Sequence, residues 1–149
     1  MRYLPLLAFL AITFAAAALG AQFKPGSWYA GLVKPSWTPP NWLFGPVWTA
    51  LYVMIAVAGW LVWRTGRGRV ALGLWSVGLT LNAAWSWLFF GQQRIGTALI
   101  DIAALWLSIA TFVVVARPVS GAASALFVPY LVWVSFATAL NVAIWQLNG

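Results

Sequence analysis

The stretch Leu105-Trp-Leu-Ser-Ile-Ala-Thr-Phe-Val-Val-Val-Ala116 decides the fold. Its apolar residues are consecutive, not alternating, so it does not read as a strand of a lipid-facing barrel, which would show a period of two. The stretch ends an interval, residues 95–116, that lies between Arg94 and Arg117 and holds one ionisable acid, Asp101. A helix needs about 20 mostly apolar residues to cross the hydrocarbon core of a bilayer, and this interval is long enough. The same pattern recurs along the chain. Residues 3–23 lie uncharged between Arg2 and Lys24, residues 35–63 between Lys34 and Arg64, and residues 70–93 between Arg69 and Arg94, while nothing after Arg117 is charged. Helices and closed barrels are the only structures that satisfy their backbone inside lipid. The expectation is therefore an all-α integral membrane protein. It has five transmembrane helices, near residues 3–22, 45–63, 70–90, 96–116 and 121–146, in a single bundle that makes residues 1–149 one domain.

Composition supports a multi-pass membrane location and excludes much chemistry. Of 149 residues, 64% are hydrophobic and 6% charged, against roughly 25% charged in a soluble domain. There is no His, no Cys and one acid in the whole chain. Thiolate and imidazole metal sites, Ser-His-Asp and Cys-His triads and paired-carboxylate mechanisms are all excluded. No metal site and no conventional catalytic constellation are expected. The absence of Cys leaves the redox compartment open.

The basic residues report topology. Arg2, Arg64, Arg67, Arg69 and Arg117 fall on one side of the five-span arrangement, and Lys24, Lys34 and Arg94 on the other. The excess places the first side, with the N-terminus, in the cytoplasm. Which membrane, inner or outer, is not legible. The basic residues are too dispersed for a nucleic-acid groove. The first segment also admits a signal-peptide reading, with Arg2 as a minimal n-region and Ala18-Leu19-Gly20 as a small-residue cleavage site. Its apolar stretch of nearly twenty residues argues for a retained helix.

Most connections are short, but residues 23–44 are not. Loops longer than about 12–15 residues in a compact domain are usually lids or binding loops. This one holds Lys24, Pro25, Lys34, Pro35, Pro39 and Pro40 among Trp28, Tyr29, Trp37 and Trp42. Stiffened by proline and rich in aromatics, it suits a lid over the end of the bundle.

Twelve tryptophans are the most unusual feature. An interfacial belt accounts for Trp42, Trp60, Trp63 and Trp145 near helix ends. It accounts less well for Trp48, Trp85, Trp87, Trp106 and Trp133, since a deep indole needs a partner for its N–H. Helical spacing groups these with other residues. Trp48, Tyr52, Ile55 and Gly59 share one face, as do Asn82, Trp85 and Phe89, and then Trp133, Ala137 and Asn141. Belt and packing on one hand, and the wall of a ligand site on the other, both remain open for these stripes. Asn82 and Asn141 read either as interhelical hydrogen-bonding residues or as ligand contacts. Pro129-Tyr130 could kink the last helix. Asp101 is either a functional intramembrane acid or a group that holds the bundle near Arg94. With no second carboxylate and no His, a carboxylate proton relay is not expected. Small-residue pairs four apart, such as Ala16/Gly20 and Ala139/Ala143, permit close helix approach or dimerisation.

Five stretches in order carry a family resemblance. They are Trp28-Tyr-Ala-Gly-Leu-Val-Lys-Pro-Ser-Trp-Thr-Pro-Pro40, Asn41-Trp-Leu-Phe-Gly-Pro-Val-Trp-Thr-Ala-Leu-Tyr52, Asn82-Ala-Ala-Trp85 with Phe89-Phe-Gly91, Ala98-Leu-Ile-Asp101, and Pro129-Tyr-Leu-Val-Trp-Val-Ser-Phe-Ala-Thr-Ala-Leu-Asn141. Through most of its length the chain resembles the TspO/MBR family of tryptophan-rich sensory proteins, which includes the mitochondrial translocator protein (peripheral benzodiazepine receptor). The resemblance implies a five-helix fold with a pocket lidded by the first loop. It implies binding of porphyrins and haem, with protoporphyrin IX or haem as a ligand and no covalently bound cofactor. Sterols and benzodiazepine-site ligands are further implied partners, and homodimers are common in the family. It also implies breakdown of protoporphyrin IX under light and oxygen, with a sensory or stress-regulatory role. Trp48 and Trp133 correspond to the tryptophans tied to that breakdown, and the family pocket maps onto Trp28, Asn82, Trp85 and Ala137. The helical stripes add Tyr52, Phe89 and Asn141 as candidate ligand contacts. Lys24, Lys34 or Arg94 at the mouth would meet the propionates. Without His or Cys there is no strong axial iron ligand, so metal-free porphyrin and haem should bind alike.

There is one departure. The Tyr and Arg of the animal sterol motif are missing from Asn141-Val-Ala-Ile-Trp-Gln-Leu-Asn-Gly149, and only Lys24…Tyr29…Leu32 matches a reversed pattern. Two other functions compete with porphyrin breakdown. A carrier of porphyrin or sterol-like amphipaths is one, although no inverted repeat is visible. A purely structural or adaptor protein anchored by its indoles is the other.

Overall fold

The computed structural model describes residues 3–23 and 25–148. Arg2 and Lys24, and with Lys24 the reversed sterol pattern, lie outside the described residues. Six α-helices follow one another: α1 Leu4–Ala21, α2 Ser27–Ala30, α3 Asn41–Trp63, α4 Arg69–Ser86, α5 Ile95–Ala116 and α6 Gly121–Asn148. A π-helical turn, Trp87–Gly91, prolongs α4. No strand occurs among the described residues.

Local chemistry explains the boundaries. Pro5 sits in the first turn of α1, where its missing N–H has no intrahelical role. Pro39 and Pro40 stop the preceding chain from being helical, and α3 starts directly after them, four residues earlier than the expected span near 45–63. Pro46 and Pro129 are both accommodated inside continuous helices. In α4 the hydroxyls of Ser76 and Thr80 donate to Leu72 O and Ser76 O at 2.9 Å each, so they present no unsatisfied group to their surroundings. The π turn takes up the last residues of the span expected near 70–90. Its register shows in Gln92 N–H donating to Trp87 O at 2.7 Å, five residues back.

The long helices pack as a ring in the order α1, α3, α6, α5, α4 and back to α1, with α5 against α6 and α5 against α4 the most extensive pairs. The core is solid at the end where α3 meets α4 and α5 meets α6. There the rings of Phe112 and Phe127 stack at 3.9 Å, and Val62, Ala116 and Ala123 are fully buried. At the opposite end a second, smaller cluster holds Tyr29, Phe89, Ala98, Leu140 and Ile144.

Four helices, α1, α3, α5 and α6, are long and apolar enough to cross a membrane, and the chain is a multi-pass membrane protein. The fifth expected span, α4, is helical as anticipated but more polar, with Arg69, Ser76, Thr80, Asn82 and Ser86 in its sequence. It is not among the helices that qualify by composition. The 23–44 connection is not featureless either, since α2 forms within it.

The belt reading fits Trp42, Trp63 and Trp145, which are exposed, but not Trp60, which is buried. Three other indoles bond across helices. Trp75 Nε1 donates to Ile55 O at 2.8 Å, Trp85 Nε1 to Asn141 Oδ1 at 3.0 Å and Trp106 Nε1 to Ser135 Oγ at 2.7 Å.

Candidate functional site

A cavity of about 230 Å³ lies between α1, α3, α4 and α6 at the end where α1 finishes and α3 begins. Helical periodicity builds its walls. Trp48 and Tyr52 project from one face of α3, Asn82, Trp85 and Phe89 from α4 and its π turn, and Trp133, Ala137 and Asn141 from α6. Each set is spaced three or four apart, so each stands on one side of its helix. The wall from α1 is made of Ala17, Gly20 and Ala21, Phe44 adds to the wall from α3, and Phe23, Pro25 and Tyr29 line the cavity from the connection between the two helices.

Eight of the nine residues singled out from sequence therefore share this cavity. Trp28 does not line it. That indole packs edge-on against Phe89 at 5.8 Å and borders a separate recess with Arg94 and Trp145. Its neighbour Tyr29, four per cent exposed, is the one that faces the cavity. Ile55 and Gly59, on the same α3 face as Trp48, lie deeper, in the solid part of the core.

The two amides hold helices together. Tyr52 donates its hydroxyl to Asn82 Oδ1 at 3.2 Å, and Asn82 Nδ2 donates to the Tyr130 hydroxyl at 2.8 Å, linking α3, α4 and α6. Asn141 accepts from Trp85 Nε1 and donates through Nδ2 to Ile95 O at 3.1 Å, linking α4, α5 and α6. Both amides thus have a structural role and also face the cavity.

The aromatic walls are in mutual contact. Trp48 stacks on Tyr52 at 5.5 Å and meets Trp133 edge-on at 6.4 Å, while Trp85 stacks on Phe89 at 5.1 Å. Trp133 Nε1 is buried and has no hydrogen-bond partner among the described residues. A buried donor left unpaired costs about 1–3 kcal/mol, and this one has no surface open to the cavity. Among the described residues, none that lines the cavity is charged. Its chemistry is that of a flat, largely apolar guest held between ring faces and oriented by few polar atoms. No group of three His, Cys, Asp or Glu that could hold a metal exists among the described residues.

Two of the basic residues expected at the mouth are placed elsewhere. Lys34 turns back on α2, its Nζ donating to Tyr29 O at 2.8 Å and Leu32 O at 3.2 Å and lying 4.7 Å from the Tyr29 ring centre. Four backbone carbonyls at a helix end lack partners, and the ammonium serves that end of α2. Burial pushes the Tyr29 phenol above its ordinary pKa. Arg94 borders the separate recess. Asp101 lies in the α5 interior with Oδ2 buried and unpartnered among the described residues, outside the cavity lining.

The 23–44 connection is tied to α6. Asn148 accepts from Val33 N–H at 3.0 Å and donates through Nδ2 to Val33 O at 2.8 Å, and Trp37 packs edge-on against Phe136 at 5.6 Å. With each exposed hydrogen bond contributing roughly 0.5–1.5 kcal/mol, Asn148→Ala should speed amide hydrogen exchange at Val33 by about tenfold, read by mass spectrometry. Unchanged exchange at Val33 would mean that the clasp does not restrain this segment.

Lining residues missed from sequence include Ala17, Gly20 and Ala21, together with Tyr29, Phe44, Phe90, Leu140 and Ile144. The α1 residues carry no pattern signal, because that helix is apolar nearly all round.

The comparisons with known proteins agree with one another. A family model described as the TspO/MBR family matches residues 7–146. A tryptophan-rich protein TspO from Chlorobaculum tepidum is 47% identical over 146 residues, covering 93% of this chain and 90% of the relative. The human translocator protein is 41% identical over 138 residues, covering 87% and 82%. A tryptophan-rich sensory protein from Cereibacter sphaeroides is 39% identical over 142 residues, covering 95% and 90%.

Proposed function

The chain belongs to the TspO/MBR family, and from that premise we propose that it binds a tetrapyrrole such as protoporphyrin IX in the aromatic cavity and promotes its breakdown under light and oxygen. In this reading α4 is a fifth span, residues 23–44 are the lid, and the output is sensory or stress-regulatory. The observation that carries it is the cavity walled by Trp48, Tyr52, Trp85, Phe89 and Trp133. Ring faces at these positions suit a broad apolar disc, since offset and edge contacts add about 0.5–1.5 kcal/mol each beyond area burial. The position of α4 between α1 and α5 supports its role as a span, because leaving it out of the membrane would break the ring.

Size bears on how a guest enters. Ligand pockets usually run to about 300–1,000 Å³, and 230 Å³ falls short of that. A tetrapyrrole therefore needs the lid or the π turn to move outward, or leaves an edge outside. With no cation among the described lining residues, its carboxylates belong at the mouth, toward water. The chemistry that a bound porphyrin supplies is light absorption and activation of oxygen. The protein's residues confine and orient it, and Trp48 and Trp133 present oxidisable indoles. Haem gains no axial His or Cys ligand, since neither residue exists in the chain.

The test is a titration of purified protein with protoporphyrin IX, followed by tryptophan quenching in the dark and by absorbance under illumination. Saturable quenching and light-dependent loss of the porphyrin bands are expected. Ala137 lies on the cavity wall between Trp133 and Asn141, nine per cent exposed. Ala137→Trp should fill much of the cavity and weaken binding at least tenfold, about 1.4 kcal/mol. Full-affinity binding by that variant would place the ligand elsewhere.

A second reading is a carrier of porphyrin or sterol-like amphipaths without catalysis. The name of the human relative, translocator protein, favours it. Light-independent transfer between vesicles, with no porphyrin loss, would select it. Homodimerisation belongs to the same proposal, and α1 leaves Leu4, Leu7, Ile12 and Leu19 exposed for lipid or a second copy.

A further inference from the structure

The end of the bundle farthest from the cavity carries a feature that neither binding nor photochemistry uses. The α3–α4 turn reads Arg64-Thr-Gly-Arg-Gly-Arg69, and the α5–α6 turn begins at Arg117. Two glycines shape the first turn. Gly66 has φ +71°, a left-handed conformation that favours glycine. Gly68 lies so close to Val62 that a Cβ there would overlap it, and the same Cβ would sit 3.4 Å from Val119 Cγ1 in the α5–α6 turn. The two turns therefore abut, and Arg64, Arg67, Arg69 and Arg117 are gathered on one end, all exposed.

No carboxylate side chain compensates these charges. The chain has a single acid, and Asp101 stands sixteen residues before Arg117 along α5, about 24 Å away at 1.5 Å per residue. Arg64 lies over the Trp60 ring at 4.8 Å, a contact that leaves its charge in place. The first turn of α4 adds backbone N–H groups, since its N-cap, Gly68, supplies no side-chain cap. Residue type matters as well. On the five-span topology every basic residue at this end is arginine, while both lysines fall at the other end. Arginine offers a planar fork that holds phosphate oxygens in pairs, whereas lysine is a point charge. Beside the arginines, Trp63 and Val70 are exposed, supplying apolar surface at the depth where acyl chains meet headgroups. By the charge bias this arginine-rich end is the one expected on the cytoplasmic side, where anionic lipids attract juxtamembrane basic clusters.

We propose that this end is a binding site for anionic phospholipid headgroups. Phosphodiester oxygens are held by Arg64, Arg67, Arg69 and Arg117, and the first acyl segments lie along Trp63 and Val70. The site is independent of the cavity, so it stands or falls separately from the porphyrin reading.

The experiment is native mass spectrometry of the detergent-purified full chain with phosphatidylglycerol, with phosphatidylcholine of identical acyl chains, and with inorganic phosphate. Retention of phosphatidylglycerol at least tenfold above phosphatidylcholine is expected, with phosphate alone retained no better than phosphatidylcholine. Preference should fall about threefold in R67Q and in R117Q, and vanish in the R64Q/R67Q/R69Q/R117Q variant. The corresponding four lysine substitutions should restore only part of it, which separates forked recognition from bare charge. K34Q/R94Q, at the other end, should leave it intact. Circular dichroism confirms that each variant is folded. Equal retention of the two lipids by the unaltered protein, or a preference that survives in the quadruple glutamine variant, would overturn the proposal. So would retention of phosphate as strong as that of the lipid, which would assign the arginines to a free anion.

Discussion

Under light and oxygen, protein carrying both Trp48→Phe and Trp133→Phe should leave protoporphyrin IX absorbance at least tenfold more persistent than the unaltered protein does. Dark binding should change by no more than a few-fold. The two indoles meet edge-on at 6.4 Å and both line the cavity. Phenylalanine keeps a ring face and most of the buried area, so the apolar part of binding survives. It lacks the electron-rich indole that can give up an electron, and at position 133 it removes a buried N–H with no partner among the described residues. Removing an unsatisfied donor does not cost what removing a satisfied one does, so Trp133→Phe should cost the fold only the lost ring contacts with Phe44, Trp48 and Phe136. Trp85→Phe provides the contrast. Trp85 donates to Asn141, and its loss leaves the Asn141 oxygen unpaired between α4 and α6. That variant should lower thermal stability with a smaller effect on photochemistry. Breakdown at the unaltered rate by the double variant would remove the indoles from the chemistry while leaving the binding proposal intact.

These expectations start from stripes that are visible in the sequence. Spacing alone groups Trp48 with Tyr52, Asn82 with Trp85 and Phe89, and Trp133 with Ala137 and Asn141. The grouping survives because a helix fixes which residues share a face, whatever the helix packs against. Charge-free intervals locate all five long helices for a related reason: in a chain with so few basic residues, Arg and Lys stand between the hydrophobic runs and not within them. Where spacing carries no information, the reading fails. Trp28 and Tyr29 are adjacent in a four-residue helix, too short for a face to be inferred, and the structure turns Tyr29 rather than Trp28 to the cavity. Ala17, Gly20 and Ala21 form a wall by being small, and small residues in an apolar helix look alike. The π turn at Trp87–Gly91 is a matter of backbone register, which side-chain pattern does not encode. π turns often occur at functional sites, and this one carries Phe89 and Phe90 into the cavity wall. Lys34 reads as a free cation at the mouth because sequence gives its charge but not the carbonyls of α2 that occupy it.

The largest effect on stability is expected at a residue that resembles any other helical glycine in the sequence. Gly59→Leu should lower the thermal midpoint of the detergent-solubilised protein more than any single change in the cavity wall. Gly59→Ala should already lower it measurably. A Cβ at position 59 would stand 2.8 Å from two atoms of the Trp75 indole and 2.9 Å from Phe9 Cδ1, distances at which something must move. Neither neighbour is free to do so. Trp75 is fixed by its N–H donating to Ile55 O at 2.8 Å, one turn before Gly59 on the same helix, and Phe9 packs edge-on against that indole at 5.2 Å. Position 59 is thus a point of close approach of α1, α3 and α4. Overpacking a close-packed core costs about 1–3 kcal/mol, and if the indole swings away, the lost buried hydrogen bond adds about 1–3 kcal/mol. Gly73 is the control. It too lies within a helix, α4, but a Cβ there meets nothing within 4 Å, so Gly73→Ala should be neutral or stabilising by up to about 1 kcal/mol through helix propensity alone. Helix propensity favours alanine at both positions, so opposite signs at 59 and 73 can come only from what the new methyl touches. A Gly59→Ala protein as stable as the Gly73→Ala one would show that Phe9 and Trp75 can yield, and that α1 is not pinned against α3 and α4 at this level. The α1 wall of the cavity would then be loose as well.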